Sequence, residues 1–205
     1  MRQLKKGLPL QAFSDCMGGR DCPANWGEFS RNHWNINQEA RLHILCEEQD
    51  ELCGYTEILI TDPSSDHCHI DHYRKRSLFA EQTFDWTNFV VATKDDDFGA
   101  NFKDNKYGIE ATDYGSFLNP VTDKAESYFE YTVTGDIIPK QQGLSDSQKA
   151  IAQKTIDVFN LKHPSLISRR RAIIEMIGDY GDLPADEIKV YLTGLGFRSL
   201  IEQFT

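Results

Sequence analysis

The separation of strand-forming from helix-forming segments constrains the fold of this chain more than any other feature. Short segments rich in β-branched and aromatic residues lie between residues 52 and 140, with polar or glycine-containing loops between them. From Ser145 onward the apolar residues recur at helical spacing. Strands grouped apart from helices are typical of an α+β protein. We therefore predict the α+β class.

The first two-thirds of the chain predict a helix, several short strands and a hairpin. The hairpin is indicated by aromatic and β-branched residues on both sides of a Thr-Gly-Asp turn. The predicted elements are, in chain order, a helix over 37–50, a turn and short strand over 52–60, a strand over 67–73, a partly buried segment over 84–93, a loop with a short helix over 94–108, and the hairpin over 127–140.

The last third of the chain predicts helices only. Ser145 and Gln148 have the spacing of a capping box, and Pro164 stands near the first turn of the next helix. Two further helical segments follow, over 183–196 and 197–204. Because no internal repeat or clean linker interrupts the sequence, we expect one domain over 1–205, with a core at about 52–140 and a helical completion at about 144–205.

Charge and cysteine content limit the classes of function. The net charge of −10 disfavours unaided binding to nucleic acid, although cations cluster at 74–76 and 169–171. Three consecutive arginines on a helix cannot face one way, so at most two of 169–171 could reach a partner. Five cysteines favour reduced thiols and a cytoplasmic location. No apolar run approaches the roughly 20 residues that span a bilayer, so we expect no membrane association.

Residues 67–76, HCHIDHYRKR, place three histidines and an aspartate in six positions. Asp71 is a hard oxygen ligand, and His72 is an imidazole that can accept a proton near neutral pH. Metal-assisted hydrolysis of a phosphodiester needs a carboxylate to hold the metal ion and an imidazole to take a proton from water. The simpler alternative is a polar strand exposed to solvent. In a regular strand the two side chains point to opposite faces, so a shared site requires that the strand end or bulge there.

These residues resemble a known family. HIDHYRK, then FDWTNFV, then a loop containing Asn101 are similar to the His-Asn-His (HNH) endonuclease motif, which implies a ββα-metal (His-Me finger) core. Further blocks resemble the HNH proteins of retron and Septu anti-phage defence systems, and together they span nearly the whole chain. Those blocks are MRQLKKGLP, LCGYTE, FLNPVTD, GDIIPK and TIDVFNLKHPSLISRRR.

The resemblance implies a role for each matching residue. His72 matches the general base that activates water, and Asp71 matches the metal ligand before it. Asn88 matches the central asparagine, which braces the loop between strand and helix. Asn101 matches the second metal ligand, with Asn105 as the alternative if the register is shifted.

Three neighbouring residues complete the expected site. His69 matches a recurring histidine of the family and is assigned to the metal site, with a structural hydrogen-bonding histidine as the alternative. Arg74 and Lys75 are expected to grip the nucleic-acid backbone, unless they are solvated surface cations. The expected cofactor is a single Mg²⁺ or Mn²⁺ ion, because such ions need few protein ligands.

The sequence departs from the family at its structural zinc site. Of the first Cys-x-x-Cys pair only Cys53 is present, because position 56 is threonine, and the second pair has no cysteine at all. A four-thiolate zinc site is therefore excluded by composition, and the remaining alternative is a makeshift site of Cys53 with Cys46, Cys68 or His67. We expect hydrophobic packing to replace it, by the aromatic residues Phe84, Trp86, Phe89 and Phe98.

The expected function is metal-dependent cleavage of nucleic acid by an HNH nuclease domain. The resemblance implies an effector of anti-phage defence with an ATPase partner and, in retron systems, a reverse transcriptase with its noncoding RNA–DNA hybrid. The alternative is a degenerate HNH-fold adaptor that binds the ATPase without cleaving. The motif residues favour the nuclease, since an adaptor has no need of them.

Overall fold

The computed structural model describes residues 1–205, and the chain begins with helices. Asn25 caps the second of them, because its side chain accepts a hydrogen bond from the Glu28 backbone. The helix predicted over 37–50 is present but begins earlier, and its last turn, Ile44–Glu48, is π-helical. The helices are α1 (Gln11–Gly18), α2 (Trp26–Asn32) and α3 (Trp34–His43).

Two antiparallel strands form the centre of the molecule. Strand β1 (Cys68–His72) pairs with β2 (Phe89–Thr93), so that Asp71 lies opposite Val90 and His72 opposite Phe89. Residues 89–92 are fully buried because helices and loops cover both faces of β2. The predicted strand over 67–73 and the buried segment over 84–93 are thereby confirmed.

A short helix follows β2 within the segment predicted to contain one. Helix α4 (Gly99–Asn101) continues as a π-helix over Phe102–Tyr107 and ends at Gly108, whose φ is +72°. A π-helical segment is rare and is found frequently at functional sites. The chain order is therefore strand, strand, helix.

The remaining β-structure is smaller than the sequence indicates. The hairpin is confirmed as β3 (Phe129–Tyr131) paired with β4 (Ile137–Pro139). The short strand predicted within 52–60 is wrong, since only one bridge forms there, between Leu52 and Leu59. The reason is local: Glu57 adopts a left-handed φ of +61°, which interrupts an extended chain.

The C-terminal third is helical, as predicted. Ser145 and Gln148 form the capping box, and Pro164 is the first residue of its helix. Of the three arginines, Arg170 is buried and donates to the Leu161 carbonyl at 2.5 Å, while Arg171 donates to the Thr134 carbonyl at 3.1 Å. The helices are α5 (Asp146–Val158), α6 (Pro164–Asp179), α7 (Ala185–Leu192) and α8 (Arg198–Phe204). The α+β class is confirmed.

One continuous apolar core joins these parts. Beside β2 it is aromatic, and its side chains in edge or tilted contact are Phe13, Trp26, Phe29, Trp86 and Phe89. At the position of the expected first cysteine pair, Cys53 and Thr56 are both buried. Of the aromatic residues expected to replace the zinc site, Trp86, Phe89 and Phe98 are buried and Phe84 is partly buried. No helix is long and apolar enough to cross a bilayer.

Candidate functional site

A cavity of about 780 Å³ opens at the end of β1. Strand β1 ends at His72, as a shared site for the two neighbouring side chains requires. Among the residues predicted from the sequence, those lining the cavity are His69, Asp71, His72, Lys75, Asn101 and Asn105. The structure therefore brings together the carboxylate, the imidazole and both candidate asparagines.

The two oxygens of Asp71 are in different environments. Oδ2 accepts a hydrogen bond from the Tyr55 hydroxyl at 2.5 Å and from the Lys103 ammonium at 3.1 Å. Oδ1 has no hydrogen-bond partner. Burial by itself would raise the pKa of Asp71, but the charges of Lys103 and of the neighbouring histidines, together with the Tyr55 hydrogen bond, outweigh it and hold the pKa below its usual value. Asp71 is thus an anion with one oxygen free to bind a cation.

Lys103 is a buried residue that sequence reasoning missed. Its ammonium donates to Asp71 and to the carbonyls of His72 and Tyr73, both at 3.0 Å, so its three protons are all used. Burial would lower the pKa of Lys103, but the charges of Asp71 and Asp104 raise it above the usual value. A lysine in a polar, glycine-punctuated segment gives no sequence signal of burial, because such lysines are normally solvated.

His72 is fixed in one orientation by packing and by one hydrogen bond. Its ring lies edge-on to Trp26 at 4.5 Å and to Phe89 at 5.1 Å. Nε2 lies 2.9 Å from the Thr83 carbonyl oxygen, which can only accept, so Nε2 carries the proton and Nδ1 keeps its lone pair. Burial lowers the pKa of His72 to about 4. The imidazole is therefore a neutral proton acceptor at physiological pH.

Asn88 braces the loop that connects β1 to β2. Its Nδ2 donates to the Arg74 carbonyl at 3.0 Å, and its Oδ1 accepts from the Arg74 backbone nitrogen at 2.7 Å. A further bond reaches the Gln82 carbonyl at 3.3 Å. Asn88 is buried and does not line the cavity. Its contacts are those of a residue that holds the loop rather than one that touches a substrate.

The cavity lining contains two buried polar atoms that make no hydrogen bond. They are His69 Nδ1 and Asp104 Oδ1. Oδ1 of Asp104 lies 3.2 Å from the Lys103 ammonium but outside hydrogen-bonding geometry. Burial and the neighbouring Asp71 charge raise the pKa of Asp104. Asp104 Oδ1 already faces a cation, so His69 Nδ1 is the atom of this pair that a bound metal ion would satisfy.

The side chains of the cavity suit a hard divalent ion that is held by a few oxygen ligands, rather than an ion enclosed by protein ligands on all sides. No three acidic, cysteine or histidine side chains converge closely enough to enclose an ion. Asn101 donates through Nδ2 to Asp96 at 3.0 Å, which leaves its amide oxygen unbonded, and Asn105 lies four residues on along the same cavity wall. An ion held by these oxygens would keep several waters, as Mg²⁺ does. The choice between Asn101 and Asn105 stays open.

The two cations predicted to bind the nucleic-acid backbone lie in different places. Lys75 lines the cavity and donates to the Asp104 carbonyl at 2.7 Å. Arg74 lies outside it, with its guanidinium 5.1 Å from the Phe79 ring. Arg76, which the sequence did not single out, lines the cavity and lies 5.6 Å from the Trp26 ring. The structure therefore brings Lys75 and Arg76, but not Arg74, to the candidate site.

Comparison with known proteins points to the same family as the motifs. No protein-family model matches the chain. Over 180 residues the chain is 25% identical to an Escherichia coli protein named "Retron Ec83 putative HNH endonuclease", and the match covers 73% of this chain and 70% of that protein. The resemblance to retron-associated HNH endonucleases, first indicated by the sequence motifs, is confirmed by this similarity.

Proposed function

We propose that this chain is a metal-dependent HNH endonuclease that hydrolyses phosphodiester bonds of nucleic acid. One observation carries the proposal: a cavity lined by an anionic Asp71 with a free oxygen, a neutral His72 with a free Nδ1, and the amides of Asn101 and Asn105. The order of β1, β2 and α4 supports a ββα-metal core. The similarity to a retron protein supports the same activity.

The residues of the chain divide the reaction between them. His72 accepts a proton from the attacking water on Nδ1, while the Thr83 carbonyl keeps the proton on Nε2. Asn88 holds the loop that carries Thr83 and so preserves this alignment. Lys75 and Arg76 line the cavity and would hold the phosphate backbone.

The proposed cofactor is one Mg²⁺ or Mn²⁺ ion. Asp71, Asn101 or Asn105, and His69 would hold it, and the buried Nδ1 of His69, which has no hydrogen bond, supports the place of His69 in this set. When bound, such an ion stabilises negative charge on the phosphate and the leaving oxygen. Lys103 keeps Asp71 ionised and aimed into the cavity without the ion.

We further propose that the protein acts in an anti-phage defence system. The relative's name places that protein in a retron. The partners we propose for this chain are an ATPase subunit and a reverse transcriptase with its noncoding RNA–DNA hybrid. An acidic nuclease with net charge −10 gains from such partners, because they can supply the positive surface that holds a polyanion.

The test is cleavage by wild-type protein and the His72→Ala variant. The chain, alone and with its ATPase partner, is incubated with double-stranded DNA, single-stranded DNA and RNA in Mg²⁺, Mn²⁺ or EDTA. We expect cleavage only with a divalent ion, and a loss of about 10²- to 10⁴-fold in His72→Ala because a positioned base contributes that much.

His67→Ala is the matched control, because His67 is an exposed histidine of the same segment that does not line the cavity. It is expected to cleave like the wild type. Unchanged cleavage by His72→Ala would falsify the assignment of the base. Absence of cleavage by the wild type under every condition would leave the adaptor as the better description.

A further inference from the structure

A second cavity, of about 390 Å³, adjoins the candidate active site. The two cavities share Trp26, His69 and Ile70 in their linings. Position 69 lies two strand residues from Asp71, a distance of about 7 Å at the usual rise per residue. A group bound beside His69 in the second cavity therefore lies within about one nucleotide of a phosphate held at Asp71.

The buried and unpaired charge of Arg41 indicates that this cavity binds a ligand. Its side chain is 7% exposed, and its only hydrogen bond runs from Nε to the Pro63 carbonyl at 3.0 Å. No carboxylate lies within ion-pairing distance of its guanidinium. A buried charge without a counter-ion is costly, so the two remaining nitrogens suit an anion such as phosphate.

The charge of the whole cavity agrees with an anionic ligand. Lys94 also lines it, is exposed and forms no ion pair. No aspartate or glutamate is present in the lining. A lining with two cations and no acid is unusual for a chain that carries a net charge of −10. The local field therefore attracts a polyanion where most of the surface would repel it.

Trp34 supplies a flat apolar surface at the same cavity. It is the first residue of α3, its side chain is 64% exposed, and no other aromatic ring contacts it. Exposed aromatic rings beside cations are the arrangement on which unpaired bases stack in proteins that bind single strands. A base inside a duplex cannot reach such a surface, because its faces are covered by its neighbours.

We propose that this cavity binds an unpaired nucleotide next to the scissile phosphate, with its base on Trp34 and its phosphate on Arg41 and Lys94. The inference rests on the proposed nuclease function and names the substrate class of the same site. The substrate is single-stranded, or locally unpaired, at the position beside the cut.

The test measures binding of fluorescent oligonucleotides to the full-length chain in the His72→Ala background, so that the probe is not cut. The probes are a 15-nucleotide thymidine DNA, a 15-nucleotide uridine RNA and a blunt DNA duplex. Trp34→Ala is expected to weaken binding of a single-stranded probe by about 5- to 150-fold, the range for loss of one stacked base. Lys94→Ala is expected to reduce the slope of log affinity against log salt by about 0.7.

Two matched controls isolate the cavity. Tyr191→Ala removes an aromatic side chain that is likewise 64% exposed but lies on α7, and Lys162→Ala removes an exposed cation between α5 and α6. Both are expected to bind like the parent. Arg41→Gln should weaken binding as well, and its thermal unfolding is measured because Arg41 is buried. Trp34 and Lys94 are exposed, so their variants keep the test independent of folding.

Comparison of the DNA and RNA probes identifies the sugar of the substrate. Weaker binding of either single-stranded probe by Trp34→Ala supports the proposal. Unchanged binding of both single strands by Trp34→Ala and Lys94→Ala overturns it. Equal weakening of the duplex overturns the assignment to an unpaired nucleotide. Failure of the nuclease proposal is seen separately, as absence of cleavage by protein with intact His72.

Discussion

At the scale of single residues, the candidate site depends on buried polar groups that hold one another. Asp71, Tyr55 and Lys103 are all buried, and both partners donate to the same carboxylate oxygen. A hydrogen bond to a charged group contributes more than one between neutral groups, because the charge strengthens its attraction to the donor proton. Stability and function are therefore linked at this carboxylate.

Tyr55→Phe tests that link. We expect it to lower the free energy of unfolding by about 1.5–3 kcal/mol, because the charged Asp71 oxygen loses one of its two donors. Tyr73→Phe is the matched control, since the Tyr73 hydroxyl donates to the neutral Phe117 carbonyl at 3.3 Å. Its expected cost is about 0.5–1.5 kcal/mol. Urea unfolding of both variants measures the difference, and equal costs would contradict the role of the charge.

The depressed pKa of His72 predicts how stability changes with pH. Because burial lowers this pKa to about 4, the unfolded chain binds a proton on His72 between pH 6.5 and 4 that the folded chain does not bind. Stability therefore falls as pH decreases through this window, by about 3 kcal/mol from this residue. Denaturant unfolding of metal-free protein at several pH values measures the change.

His72→Gln is expected to flatten this dependence between pH 6.5 and 4, whereas His67→Gln should leave it as in the wild type. His67 is a suitable control because its side chain is 65% exposed. If His72→Gln retained the full wild-type pH dependence, His72 would not be buried and neutral in the folded protein.

At the scale of elements, the β3–β4 hairpin packs closely against α6 at one glycine. Gly135 has a φ of +86°, and a Cβ at this position would lie 2.5 Å from the Ile167 carbonyl oxygen. The turn thus needs both a left-handed backbone and the absence of a side chain. The Arg171 side chain donates to the Thr134 carbonyl of the same turn, which fixes the hairpin on the helix.

Gly135→Ala is expected to be strongly destabilising. Gly143 provides the control, because its φ of +81° is similar and nothing lies near its missing Cβ. Gly143→Ala should cost about 1–2 kcal/mol from the backbone alone. Gly135→Ala should cost a further 1–3 kcal/mol from the clash with α6. Thermal unfolding of the two variants compares them, and equal melting temperatures would show that the hairpin does not pack against α6.

At the scale of the whole molecule, the C-terminal helices are tied to the centre of the chain. The Gln203 side chain of α8 exchanges two hydrogen bonds with the Tyr131 backbone of β3, at 2.8 and 2.7 Å. The buried Glu57 carboxylate accepts from the Ser199 backbone nitrogen at 2.9 Å. Tyr55 stacks on Phe159 at 4.3 Å, which joins the site to the residue that follows α5.

These contacts predict that the chain over 1–205 unfolds as one cooperative unit. The three tryptophans lie within residues 26–86, whereas most α-helical residues follow residue 145. Tryptophan fluorescence and far-ultraviolet circular dichroism thus report on different parts of the chain. We expect their urea transitions to coincide, because a shared core is lost at once. A helical transition separate from the fluorescence change would instead indicate two domains.

Local patterns in the sequence are sufficient to predict much of this fold. Some of these patterns depend only on neighbouring residues and can therefore be predicted from the sequence. They are the capping box at Ser145, the proline at the start of α6 and the alternation over β1. The motif around Asp71 and His72 indicates the site for the same reason. The prediction of a strand over 52–60 is wrong because the left-handed Glu57 is stabilised by contacts with α8, which are remote in sequence.

Only the tertiary structure decided which side chains share the cavity and in which charge state. The π-helical turn brings Lys103 and Asp104 to the site, and the loop after β1 places Arg76 at the cavity instead of Arg74. The direction of these side chains cannot be read from composition. The sequence by itself determined the elements and the motif, since these follow from near-neighbour spacing. Burial, and with it the neutral His72, the ionised Asp71 and the unpaired Arg41, depends on residues that folding brings together from distant parts of the chain.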